Sequence, residues 1–117
     1  VLIFKICHSF EWREAEAVGA YRGSAKDRAD GFMHFSTAEQ LVGTLTRYYA
    51  DAQDLVLVAV DAAALGPALK FETSRDGALF PHLYGALPLT AVKWVRDIGR
   101  NADGGFVLPL DAHGGCA

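Results

Sequence analysis

The sequence predicts an α+β fold: one compact domain with a mixed or antiparallel sheet and two main helices. Three observations carry that expectation. Helical periodicity is concentrated early in the chain, and strand-like apolar runs dominate later. No repeat, linker or low-complexity block divides the 117 residues. With 51% hydrophobic residues, including seven Phe, four Tyr and two Trp, the chain can build one core but is too short for two. Residues 1–110 are assigned to that domain and the Gly-rich residues 111–117 to a flexible tail.

The elements follow in order. Val1 to Cys7 is apolar except for Lys5 and rich in β-formers, so it reads as a buried strand that delivers His8 at its end. Ser9 then caps a helix whose apolar face runs through Trp12, Ala15 and Val18, and Gly19 closes it. Tyr21 to Asp30 is polar and charged and reads as a surface loop. Its Arg22, Lys26 and Arg28, with Arg13, are read as solvated rather than as a basic pocket. Gly31 to Phe35 alternates as a short strand.

Ser36 or Thr37 caps the second helix, and Ser36 with Glu39 fits a capping box. Leu41, Val42, Leu45, Tyr48 and Tyr49 supply its helical period. Leu55 to Val60 is an unbroken apolar run bounded by Asp54 and Asp61, the pattern of a central strand. Ala62 to Leu65 reads as a single helical turn ended by Gly66-Pro67, and Ala68 to Glu72 as another strand. Asp76-Gly77 makes a turn. Leu89 to Ile98 alternates as a long strand, and Gly104 to Leu110 forms a last short one. Trp12 and Trp94 are expected in the core.

Composition excludes several function classes. A formal net charge of −3 and a pI near 5.7 argue against non-specific binding to nucleic acid or to anionic membranes. No apolar run is long enough to span a bilayer and no secretory signal pattern occurs. Cys7 in an apolar run and Cys116 in the tail fit reduced thiols, so a cytoplasmic protein is expected.

Three of the four histidines stand at strand-and-turn junctions: His8, His34 in Asp30-Gly31-Phe32-Met33-His34-Phe35-Ser36, and His82 in Phe80-Pro81-His82-Leu83-Tyr84-Gly85. Rigid scaffolds present reactive side chains at such places. Glu72, ending an apolar strand, is the leading carboxylate; it needs either a partner such as Arg75 or a functional role. Asp61 reads as a plain helix cap. His82 and Tyr84 share a face if their segment is extended, so Tyr84 either contacts a ligand or anchors the turn. Ser36 lacks a Gly-x-Ser-x-Gly elbow and reads as a cap rather than a nucleophile. Three imidazoles and a carboxylate would suffice for zinc, yet no His-x-x-x-His or Cys-x-x-Cys pair occurs, and no metal site is assigned. No Gly-x-Gly-x-x-Gly fingerprint is present either.

Taken together, His8 after an apolar strand, Trp12, the two histidine blocks, Gln40, the Asp54–Asp61 strand and Phe71-Glu72 resemble the domain-of-unknown-function family 952 of small bacterial and plant proteins. The resemblance covers nearly the whole chain, up to Pro109. That family is similar in fold to the ADP-ribosyltransferases and RNA 2′-phosphotransferases. The resemblance therefore implies a split β-sheet with a cleft for NAD, as substrate rather than required cofactor, or for a related nucleotide-like small molecule. By position, His8 would hold the dinucleotide, His34 with Ser36 the nicotinamide ribose, and Glu72 the acceptor and ribose hydroxyl. His82 and Tyr84 would line the same cleft. The chain departs from the pattern in lacking an Arg on the first strand and a Ser-Thr-Ser motif. An ADP-ribosyltransferase-like enzyme is thus the first expectation. A non-catalytic binding module is the second, and a metal-dependent hydrolase the third.

Overall fold

The computed structural model describes residues 1–74 and 77–110. Along the chain the elements are β1 (Leu2–His8), α1 (Ser9–Val18), β2 (Ala20–Tyr21), α2 (Ala25–Asp30), β3 (Met33–His34), α3 (Leu41–Tyr48), β4 (Leu55–Asp61), β5 (Leu69–Thr73), β6 (Leu79–Leu83), β7 (Leu87–Pro88), β8 (Val92–Asp97), β9 (Gly99–Arg100) and β10 (Phe106–Val107). Every strand pair is antiparallel, which gives the expected α+β class.

The unbroken apolar run becomes the central strand. β4 lies between β1 and β8, pairing with β1 from Leu2 opposite Asp61 to His8 opposite Leu55. Its side chains alternate between two cores, as a period of two requires. Val56, Val58 and Val60 join Ile3, Cys7, Trp12, Ala15 and Phe35 on one face. Leu55, Leu57 and Ala59 join Phe4, Ile6, Leu41 and Leu45 on the other. α1 covers the first face through Trp12 and Ala15, and α3 covers the second through Leu41 and Leu45. Trp94 packs beside Phe4, with ring centroids 5.9 Å apart.

A second sheet has the order β3-β6-β5, with His34 opposite His82 and Glu72 opposite Phe80. The two sheets meet at one bridge, where Phe4 and Ser36 exchange two backbone hydrogen bonds of 2.8 Å. Beyond it they part. Ile6 and His8 share Phe4's backbone orientation, away from β4, yet side chains serve them there: Tyr49 OH donates to the Ile6 carbonyl at 3.4 Å, and the His8 N–H donates to Glu11 at 3.3 Å. The cleft opens where this ladder stops.

Several sequence expectations are corrected. Tyr21 to Asp30 is not a loop: β2 pairs with β7, and α2 runs between Ser24 and a left-handed Gly31 (φ +85°). The sole buried residue of that helix is Asp27, so apolar periodicity could not reveal it. His8, not Ser9, precedes α1 as the cap residue: His8 is extended (φ −72°, ψ 144°) and its N–H donates to Glu11 Oε1 at 3.3 Å, while Ser9 is already the first helical residue. Of the two caps the sequence offered, Ser36 and Thr37, the structure takes Thr37, and the capping box pairs it with Gln40, not Ser36 with Glu39: the Thr37 N–H donates to Gln40 Oε1 at 3.0 Å. The turn after β4 is a 3₁₀ segment that kinks at Gly66 (φ +63°) and runs on to Ala68. Leu89–Ala91 form another 3₁₀ turn, so that strand starts only at Val92, after the chain has left its ribbon with β2. Arg75, Asp76 and the tail with Cys116 lie outside the described residues. Among those described, no helix is long and apolar enough to cross a membrane.

Candidate functional site

A cavity of about 250 Å³ lies where the sheets part. β1 supplies Lys5 to its wall, α2 supplies Asp27 and Asp30, and β3 and β6 supply His34 and His82. Lys5 shares the core-facing side of β1 with Ile3 and Cys7 and is only 3% exposed. A lysine so buried requires a counter-charge. Asp27, also 3% exposed, provides it at 2.7 Å. The same ammonium donates to the His34 carbonyl at 2.8 Å, which ties β1 to β3 beyond their last backbone bridge.

Asp27 is the organising residue of this wall. Its Oδ2 takes Lys5 and the Ser24 N–H (2.9 Å), while its Oδ1 takes the His34 N–H (3.1 Å) and the ring Nδ1–H of His34 (2.5 Å). Burial pushes this carboxyl up, but the His34 bond, the charge and hydrogen bond of Lys5 and the Ser24 amide outweigh it. The group is held well below its ordinary value of 3.8. His34 Nε2 meets Asp30 at 3.0 Å, and Asp30 also meets Lys26 at 3.1 Å. The Lys26 bond is the chief reason that Asp30 sits below its usual value.

A second imidazole–carboxylate pair stands beside the first. His82 Nδ1 donates to Glu72 Oε1 at 2.9 Å, and Tyr84 OH donates to the same oxygen at 2.7 Å. Those two bonds, Tyr84 first, lower the Glu72 carboxyl, and the same contact raises the Tyr84 phenol. The rings of His34 and His82 are 5.5 Å apart, edge to face. Phe32 lies over His82 at 4.2 Å with a 27° tilt and also approaches His34 and Tyr84. With Glu72 holding Nδ1, Nε2 of His82 has no hydrogen-bond partner among the described residues, an arrangement that can serve as an oriented general base.

The sequence-derived site residues divide accordingly. His34, Ser36 and His82 line the cavity. Glu72 and Tyr84 reach it through His82. His8 stands apart: its Nδ1 lies 3.3 Å from the Gln53 carbonyl and its ring stacks on Phe10. Its link to the cavity is Tyr49, a lining residue that stands edge-on to it at 6.4 Å. Ser36 Oγ bonds Thr44 Oγ1 at 2.9 Å, and Thr44 in turn donates to the Gln40 carbonyl, so the serine proton is engaged. Sequence reasoning missed Lys5, Asp27 and Phe32. The one legible signal was a lysine in the middle of an otherwise apolar strand. Among the described residues no three His, Cys, Asp or Glu side chains converge as metal ligands.

Gly23 (φ +96°) sets how closely α2 approaches this wall, because a Cβ there would lie 2.8 Å from Asp27 Cβ. Gly23→Ala is expected to displace the start of α2 and lower stability by more than about 1 kcal/mol in urea denaturation. An unchanged midpoint would mean that the Asp27 network does not depend on this contact.

Comparison with known proteins places the chain in a context. The family described as "Protein of unknown function (DUF952)" matches residues 6–95, a span that contains His34, Glu72, His82 and Tyr84. The crystal structure of protein CC0527 from Caulobacter crescentus is 45% identical, with a TM-score of 0.87 over 92% of this chain and 94% of that one. The solution NMR structure of CC0527 is 46% identical, with a TM-score of 0.80 over 89% and 90% of the two chains. No curated protein matches.

Proposed function

The chain belongs to the DUF952 family, and from that premise and the geometry of the cleft we propose that it binds a nucleotide-like small molecule and transfers its ADP-ribosyl group. The observation that carries this reading is the Glu72–His82 pair at the cavity, with Nδ1 engaged and Nε2 left for chemistry. In the reaction the nicotinamide–ribose bond breaks and its electron pair leaves with nicotinamide. An acceptor hydroxyl then attacks the ribosyl carbon while its proton passes to His82 Nε2. Glu72 orients the base, and Tyr84 holds Glu72. His34, Ser36 and Phe32 form the walls against which ring and sugar are positioned. The enclosed space is slightly below the range of about 300–1,000 Å³ common for ligand pockets. It therefore takes one ring and its sugar, and the rest of a dinucleotide lies along the rim toward Tyr49 and His8.

A binding module without chemistry is the second reading, favoured by one observation. Both ring nitrogens of His34 face carboxylates, so this imidazole is held as a fixture and not as a proton shuttle.

The test is a thermal-shift screen with NAD, ADP-ribose, nicotinamide and a 2′-phosphorylated nucleotide, followed by product analysis. A ligand at a hundredfold excess over its Kd stabilises the folded state by about 2.7 kcal/mol. A rise in Tm with NAD or ADP-ribose that His34→Ala abolishes, together with released nicotinamide, is expected. A rise without product selects the binding module, and no rise with any of the four removes the nucleotide reading.

A further inference from the structure

Among the described residues, Lys5 finds one acceptor fewer than it has N–H groups. An ammonium carries three N–H groups. Among the described residues it meets two acceptors, Asp27 Oδ2 at 2.7 Å and the His34 carbonyl at 2.8 Å. Its side chain is 4% exposed, and the residue lines the cavity. Bulk water therefore does not readily satisfy the third N–H, whereas an atom inside the cavity can.

The charge around it decides what that atom is. Asp27 already neutralises Lys5, and on the same wall Lys26 pairs with Asp30 at 3.1 Å, so neither cation is left without its carboxylate. A full anion would find no uncompensated cation there; a neutral carbonyl oxygen needs none, and it accepts strongly from an ammonium. The other wall is aromatic, with Phe32 stacked on His82 at 4.2 Å and tilted against His34 at 4.8 Å. A planar ring packs against the outer face or the edges of that group, and an oxygen on its own edge suits Lys5.

We infer that Lys5 is a ligand-binding residue whose third N–H holds the carbonyl oxygen of a planar heterocycle seated against Phe32 and His82. The inference deepens the reading of this cavity as a ligand site and is independent of the transfer chemistry. It assigns the ligand class enclosed there: a ring bearing an oxo or carboxamide oxygen. Lys5 thus serves two purposes, tying β1 to β3 and α2 and selecting the ligand by an oxygen.

The experiment compares two probe pairs that differ in that oxygen, hypoxanthine against purine and nicotinamide against 3-methylpyridine, by NMR titration. In the native protein the oxygen-bearing member of each pair is expected to bind at least about tenfold more tightly. Only those members should move the Lys5 side-chain resonances. In a Lys5→Met/Asp27→Leu double variant, which removes the buried pair together, the preference should vanish while the weaker binding of the ring remains. Equal binding within both pairs, an unchanged preference in the folded double variant, or no binding of all four probes would each overturn the inference. Should the double variant fail to fold, the Lys5 resonances of the native protein decide alone. Their response to purine as strong as to hypoxanthine also counts against it. If ADP-ribose stabilises the protein but these pairs show no oxygen preference, this inference falls and the nucleotide reading stands. If the preference is found but no product forms, the reverse holds for the transfer step.

Discussion

Replacing Asp27 with alanine is expected to lower stability by about 3–5 kcal/mol, because it strands a buried ammonium without its counter-charge. Few single changes in this chain should weigh as much. Asp27 accepts four donors at once, from Lys5, Ser24 and both the backbone and the ring of His34. Its loss would free the start of α2, the ring of His34 and the tie between the two sheets. The pH dependence follows in sign. The folded carboxyl titrates well below its ordinary value of 3.8. Its contribution is therefore fully present above that value and is lost progressively as the pH falls further below it. Urea denaturation at neutral pH should show the loss, and the native protein should weaken below pH 3.8 more steeply than Asp27→Ala. A loss under about 1 kcal/mol would show that Lys5 finds other partners. The Lys5→Met/Asp27→Leu double variant should recover much of the stability, since a buried ion pair and an apolar pair of similar volume are often comparable.

The second large effect is on the proposed transfer reaction. Glu72→Gln is expected to reduce turnover by about 10²–10⁴-fold while leaving ligand affinity within a few-fold. An amide in that position can offer its NH₂ to His82 as readily as its oxygen, so the imidazole loses the acceptor that fixes its tautomer. Stability should change little, because the Glu72 side chain is 38% exposed. Its carboxyl is held below the ordinary 4.5 by Tyr84 and His82. The orienting charge is therefore present above that value and is lost as the pH falls below it. Steady-state kinetics of Glu72→Gln beside His82→Ala test the assignment. Native turnover in the glutamine variant would remove Glu72 from the mechanism, and native turnover in the alanine variant would remove His82.

Much of the frame was legible because it rests on local pattern. The run from Leu55 to Val60 buries both faces of β4, so its unbroken apolar character announces a central strand whatever surrounds it. The period of Leu41 and Leu45 places α3 for the same reason. Capping chemistry was legible to within a residue. It slipped at Ser9, which α1 takes in as its first residue after an extended His8, and in the capping box, which pairs Thr37 with Gln40 while the Ser36 hydroxyl bonds Thr44. α2 was invisible, since a short helix with one buried residue, and that one charged, has no apolar face to detect.

The candidate site divides along the same line. His34 and His82 were found from local chemistry and Ser36 from the family resemblance, and all three line one cavity. Lys5 and Asp27 lie 22 positions apart, by subtraction of their numbers, and nothing in either neighbourhood names the other. His8 looks like a partner of His34 in sequence, yet β1 diverges from β3 after Phe4 and sends it to the rim beside Phe10 and Tyr49. By itself, then, the amino-acid order determined the class of fold, the central strand, the main helices and the residue types that converge on the cleft. These follow from backbone propensity and the burial of periodic apolar faces, which are local in origin. Only the tertiary structure decided which charges neutralise each other, which imidazole nitrogen stays available and which histidine stands outside. Those outcomes depend on distances of a few ångströms between segments remote in sequence. Electrostatics and hydrogen bonding are set by that spacing and not by proximity along the chain.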